Sequence, residues 1–212
     1  MRQKVITISP TAADRNGIFL SARPAGAGAI TLDGVFVAAG VATLPIPGHV
    51  TVYGGSNEAT VVFTITGTNR YDAAISETIT GVNASTVKGL KNFKTVTGVS
   101  CNTRPSAAIE VGSADEMESQ VIPVGEKIDW QIVKSSGSDL SWALQYTHDN
   151  VMTLSTSEDS VNWESTGGSE PSSSGLTNSI PAGVVQAVRL VVFAFVSGTV
   201  TLTITPRLRG QG

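Results

Sequence analysis

The sequence predicts an all-β protein, built as one or two antiparallel β-sandwich-like modules with a long Ser-rich loop. Val, Ile and Thr fill 63 of its 212 positions, and branched side chains favour the pleated, half-buried surface of a strand. Twenty-two glycines and nine prolines interrupt the text so often that no stretch keeps helical spacing for three turns. Between these breaks, apolar residues recur at every second position, which is the period of a strand.

The first strand signals are residues 4–8 (KVITI) and 29–33 (AITLD), set among Pro10, Gly17, Pro24, Gly26, Gly28 and Gly34. The glycines of PAGAG lack the preceding strand and following helix of a phosphate-cradling loop, so they read as turn glycines. Val61, Phe63 and Ile65 then alternate with Val62, Thr64 and Thr66, and Ile75, Glu77 and Ile79 with Ser76, Thr78 and Thr80. These two strands, joined through GTNRYDAA, predict a hairpin. Phe93 and Val96 share a face only across a bulge, for which Gly98 is the natural site.

The acidic stretch Asp115, Glu116, Glu118 reads as solvated loop charge, and strand text resumes with Ile128, Trp130 and Ile132 on one face. A boundary near residue 125 follows, giving an N-terminal β-module (1–125) and a C-terminal β-sandwich module (126–212). In the second module Leu140, Trp142, Leu144 and Tyr146 alternate with Ser141, Ala143, Gln145 and Thr147. Residues 155–178 are rich in Ser, Gly and Asp and predict a surface excursion. Two last strands, 188–196 and 199–205, flank Ser197-Gly198, the dipeptide expected of a two-residue hairpin. In the first of them both faces are apolar, Leu190 and Val192 against Val191, Phe193 and Phe195, so both faces should be covered. Phe193 and Phe195 are therefore the candidate subunit or intermodule contact.

Several function classes lack their residues. A net charge of −3 gives no basic field for nucleic acid or anionic lipid. The start, MRQKVITISP, has no apolar segment of a signal peptide, and the longest apolar run, 184–196, is broken by Gln186 and Arg189. One cysteine, Cys101, allows no intrachain disulfide. The two histidines, His49 and His148, read as surface turn residues without a nucleophile elbow, and His148 with Asp149 is the one pair of interest. Neither the acidic stretch nor Asp149 with Asn150 fits a calcium loop. No catalytic residue, cofactor or metal is expected. Glycan binding would need exposed aromatic faces, but strand periodicity turns Trp130 and Trp142 inward. Trp163, in the polar text SEDSVNWEST, either plugs the loop onto the sandwich, the preferred reading, or stands as an exposed loop contact. A positive mean hydropathy with few charges points to surface buried against other copies.

Four pieces in order carry a resemblance: ISPTAADRNGIFLSARPAGAGAITLDG, VVFTITGTNRYDAAISETITGVNASTVKGLKNFKTVTGVS, DLSWALQYTHDNV and IPAGVVQAVRLVVFAFVSGTVTLTITPRLRGQG. Together they resemble a recurrent family of tailed-bacteriophage virion structural proteins. The resemblance implies a non-enzymatic particle component in multiple copies on the capsid or at the head–tail neck. Its implied partners are other virion proteins (major capsid, portal or tail proteins) and further copies of itself, without direct nucleic acid or membrane contact. The alternative is a receptor- or glycan-binding tail module. The Ser-rich loop is longer here than in that family.

Overall fold

The computed structural model describes residues 2–124, 128–151, 161–166, 176–179 and 185–206. The first strands are β1 (Lys4–Ile8), β2 (Asp14–Ala22), β3 (Gly28–Ile30), β4 (Val37–Ala38), β5 (Val41–Gly54) and β6 (Val62–Thr68). They are followed by β7 (Ala74–Thr80), β8 (Thr86–Cys101), β9 (Ile109–Glu118), β10 (Ile122–Pro123) and β11 (Ile128–Lys134). The last are β12 (Asp139–Thr147), β13 (Glu164–Thr166), β14 (Leu176–Ser179), β15 (Ala187–Ser197) and β16 (Val200–Pro206). The ladders β1–β16, β11–β16, β12–β15, β5–β8, β6–β7 and β6–β8 are antiparallel and no described residue is helical, so the all-β expectation is met.

Two compact units result, residues 13–115 and residues 1–12 with 116–212. This corrects the expected boundary at 125. β1 forms a ladder with β16 from Lys4 opposite Ile204 to Ile8 opposite Val200, and these hydrogen bonds assign the first strand to the second unit.

In the unit of residues 13–115 the strand order is β9-β5-β8-β6-β7, with β2 on β9, β3 on β8 and β4 on β5. The predicted β6–β7 hairpin is present, its ladder running from Val62 opposite Thr80 to Thr68 opposite Ala74, so that Gly67, Thr68 and Ala74 belong to the strands rather than the loop. Asn69 closes its loop: Oδ1 accepts from the backbone N–H of Tyr71 (2.9 Å) and of Ala73 (3.1 Å). Across β6 and β8, Thr66 faces Gly98 while Gly67 faces Val96, so the extra residue of the bulge is Thr97, next to the Gly98 at which it is expected. That extra residue turns Val96 and Val99 to the same side, and both are buried with Phe63, Ile65 and Phe93 in one cluster that includes Ile18, Val50, Ile109 and Val111.

The long β5 is unmarked in the sequence because Pro45, Pro47 and Gly48 break its alternation. The structure absorbs them in a register shift, with Thr43 opposite Thr95 and Gly48 opposite Phe93. Nor is β9 marked, since Ile109 to Ala114 are buried on both faces and leave no alternation to read.

The other unit holds two sheets. One has the order β1-β16-β11-β14; the other contains β13-β12-β15, with β10 and the last residues of β9 also on β15. Each sheet has a buried face, Ile8, Ile128, Trp130, Ile132, Val200, Leu202 and Ile204 in the first and Leu140, Trp142, Leu144, Val188, Leu190 and Val192 in the second. This is a sandwich-like arrangement.

Two corrections follow from this topology. The segments flanking Ser197-Gly198 form no hairpin, because β15 and β16 lie in different sheets. The dipeptide instead turns the chain from one sheet to the other, beside the β11–β12 connection that does the same. Ser135 N–H donates to Thr199 O (3.0 Å), and Thr199 N–H donates to Ser135 Oγ (2.9 Å). Gly198 has φ +102° there, and a Cβ on it would overlap Ser138. The segment 155–178 is also more than a surface loop, since β13 pairs with β12 and the β14 backbone pairs with β11. Residues 155–160 and 167–175 lie outside the described residues.

Candidate functional site

The end of β15 is the most distinctive apolar surface. Opposite β12, Trp142 pairs with Val192 and Ser141 with Ala194; Leu140 then pairs with Phe195 and Asp139 with Ser197. Two residues of β15 therefore have no opposite number, Phe193 and Val196, and each is the extra residue of a bulge. Both stand out, Phe193 44% and Val196 71% exposed. Residues directly opposite one another share a face, so Phe195 joins Leu140 and Val192 and is half-buried. The expectation that Phe193 and Phe195 share a face is thus corrected: the bulge at Phe193 separates them. Before the bulges, Leu190, Val191 and Val192 are all buried, so both strand faces are covered up to Val192 and open at Phe193.

A second feature centres on Arg189, which sequence reasoning missed. Its Nη1 donates to Glu118 Oε2 at 2.6 Å and its Nε to Gln145 Oε1 at 2.8 Å. The guanidinium carbon lies 4.3 Å from the centroid of the Trp163 ring, within cation–π range. Trp163 packs on Val151 and Ala187. It is therefore the plug of the two readings rather than an exposed loop contact. Next to it, Tyr146 OH donates to Glu164 Oε2 at 2.9 Å. That hydrogen bond, burial of the phenol and the carboxylate charge push the Tyr146 pKa above the usual tyrosine value.

Glu118 corrects the reading of the acidic stretch as solvated loop charge. The stretch lies on β9, and the Glu118 and Arg189 side chains are only 10% and 12% exposed. The other unit repeats the device, with Arg15 paired to Glu110 of β9 and stacked 4.1 Å over Tyr53. Sequence reasoning also missed Glu58, a fully buried carboxylate accepting from the backbone N–H groups of Ser106 and Ala107, both at 2.9 Å.

His49 is corrected as well. It is buried on β5, opposite Asn92 of β8, because the turn text Pro47-Gly48 lies within a strand. His148 is exposed at the end of β12 with its ring edge-on to Tyr146. Asp149 instead accepts the Asn162 N–H at 2.8 Å. Cys101 is buried at the end of β8, its thiol near Gly26 O and Gly28 O. Among the described residues no group of three or more His, Cys, Asp or Glu is placed to hold a metal ion.

One shallow groove of about 220 Å³ lies in the sandwich-like unit, lined by Lys4, Val5 and Ile6 of β1 and by Gln120, Val121 and Ile122. No protein-family model matches the chain, and no curated protein matches it.

Proposed function

We propose that this chain is a non-enzymatic structural protein of a tailed-bacteriophage particle, assembling in multiple copies on the capsid or at the head–tail neck. The observation that carries the reading is the bulged end of β15, which presents Phe193 and Val196 outward directly after Leu190, Val191 and Val192, which are buried on both faces. Apolar side chains displayed at strand bulges suit burial against a neighbouring subunit. The resemblance to virion structural proteins supplies the setting. A glycan-binding module would use flat exposed rings, whereas Trp130 and Trp142 are buried and Trp163 lies against Arg189.

Quantitative mass spectrometry of purified particles tests the reading. Hundreds of copies are expected for a shell component and a dozen or fewer for a neck ring. Absence of the protein from washed, infectious particles would overturn it.

A further inference from the structure

We propose that Arg23 and Arg104 together bind a dianionic phosphate group, free or carried as a monoester, at a loop junction of the unit of residues 13–115. The site is separate from the β15 surface and does not depend on the virion reading. Residues 23–27 connect β2 to β3, and residues 102–108 connect β8 to β9. Each loop contains an Arg-Pro dipeptide, Arg23-Pro24 and Arg104-Pro105. Arg23 Nε donates to Pro105 O at 2.8 Å, and Arg104 Nε donates to Pro24 O at 3.3 Å. Each arginine thus reaches the carbonyl of the proline that follows the other, and both guanidinium groups are held at one junction.

No carboxylate offsets these two like charges. Both arginines are exposed, and among the described residues neither makes an ion pair. Neither loop contains Asp or Glu. The carboxylate that does reach the second loop, Glu58, is fully buried and already accepts from the Ser106 and Ala107 N–H groups, both at 2.9 Å. Those bonds, with the buried Pro105, fix the backbone that carries Arg104. A local positive field on a chain of net charge −3 attracts an anion.

The donors left over define the anion. With Nε committed to a carbonyl, each guanidinium keeps its two Nη groups, a planar fork that matches two oxygens of one oxyanion. A carboxylate has two oxygens and one charge, which a single fork satisfies. Two forks call for three terminal oxygens and nearly two negative charges, and a phosphate monoester or inorganic phosphate supplies both. A phosphodiester has one charge and two terminal oxygens, so a nucleic-acid backbone is the poorer ligand.

The experiment titrates the full chain with inorganic phosphate at about pH 8, where the group is dianionic, at constant ionic strength, and follows backbone amide chemical shifts. Phosphate should bind saturably with a Kd on the order of 1 mM and shift the amides of the two loops, while acetate and dimethyl phosphate should bind about tenfold more weakly. Arg23→Gln and Arg104→Gln should each weaken phosphate binding about tenfold, whereas Arg2→Gln, at an exposed arginine outside the junction, should leave it unchanged. Arg23→Lys, which keeps the charge but not the fork, should also bind more weakly than wild type. Glycerol phosphate separates the two sources: affinity equal to that of phosphate assigns the site to monoesters, and loss of binding assigns it to the free ion. Wild-type chain without a saturable shift, shifts confined to other segments, or acetate equal to phosphate would overturn the site. These arms use the wild-type chain, so they decide even where a variant fails to fold. Particle copy number is a separate readout, and failure of either reading leaves the other standing.

Discussion

Arg189 lies over the Trp163 ring at 4.3 Å while its guanidinium is bonded to Glu118 at 2.6 Å. One side chain of β15 thus ties the segment leading into β13 to the end of β9. Both charges are largely withdrawn from solvent, so removal of either takes from the other the opposite charge that offsets its burial.

Replacing Arg189 with Ala is expected to destabilise the fold by about 3 kcal/mol, since Glu118 would remain largely buried. Arg189→Lys should cost less, keeping the charge but losing the planar stack and the Gln145 bond. Replacing both Arg189 and Glu118 with Met should cost less than Arg189→Ala. Urea midpoints at constant m-value measure the series. A double variant less stable than Arg189→Ala would show that the pair is not coupled as described.

Glu58→Ala should cost about 2 kcal/mol, because the Ser106 and Ala107 N–H groups lose their acceptor. Glu58→Gln keeps one acceptor oxygen and should fall between Ala and wild type. Thermal unfolding resolves the order, and an Ala variant as stable as wild type would contradict the role given to the carboxylate.

Alkaline pH should act through Tyr146. Its folded pKa is raised by the Glu164 hydrogen bond, by burial and by the Glu164 charge. A raised folded pKa means that the unfolded chain loses this proton first. The stabilisation is therefore fully present below the ordinary tyrosine value and is lost as pH rises through the folded pKa. Ultraviolet titration of Tyr146→Phe should lack a late-ionising component present in the wild type, and the stability of the variant should fall less above about pH 10. Identical titration curves would show that Tyr146 is not a late-ionising group.

At the end of β15 the two phenylalanines should behave differently. Phe193→Ser, in the exposed bulge, should change folding stability by about 0.5 kcal/mol or less while weakening assembly. Phe195→Ser, opposite Leu140, should cost about 1–2 kcal/mol of stability because it shares the inner face. Thr201→Ser and Thr203→Ser, on the other face of β16, should do little. Sedimentation with parallel thermal melts separates the effects, and assembly unaffected by Phe193→Ser would remove this surface from the proposal.

The sequence by itself determined the strands that have one dry face and one wet face. β6, β7, β11 and β16 are legible because burial alternates along them, as in Val200, Leu202 and Ile204 set between threonines, and β12 because Leu140, Trp142, Leu144 and Tyr146 alternate with smaller or polar residues. The bulge at Thr97 is legible to within one residue, since the missing side chain of Gly98 is a local signal. β9 is buried on both faces over Ile109 to Ala114, so its alternation vanishes and only the packed structure shows where it runs; β15 is legible as an apolar run, but its bulges at Phe193 and Val196 are not. The same holds for Ser197-Gly198, whose turn chemistry suits a hairpin and an inter-sheet connection equally. The choice was made by the ladders that β1 and β11 form with β16, far away in the chain. Glu118, Trp163 and Arg189 carry no shared local pattern. Strand register brings them together, and their charge and ring contacts exist only once the long-range pairing has formed.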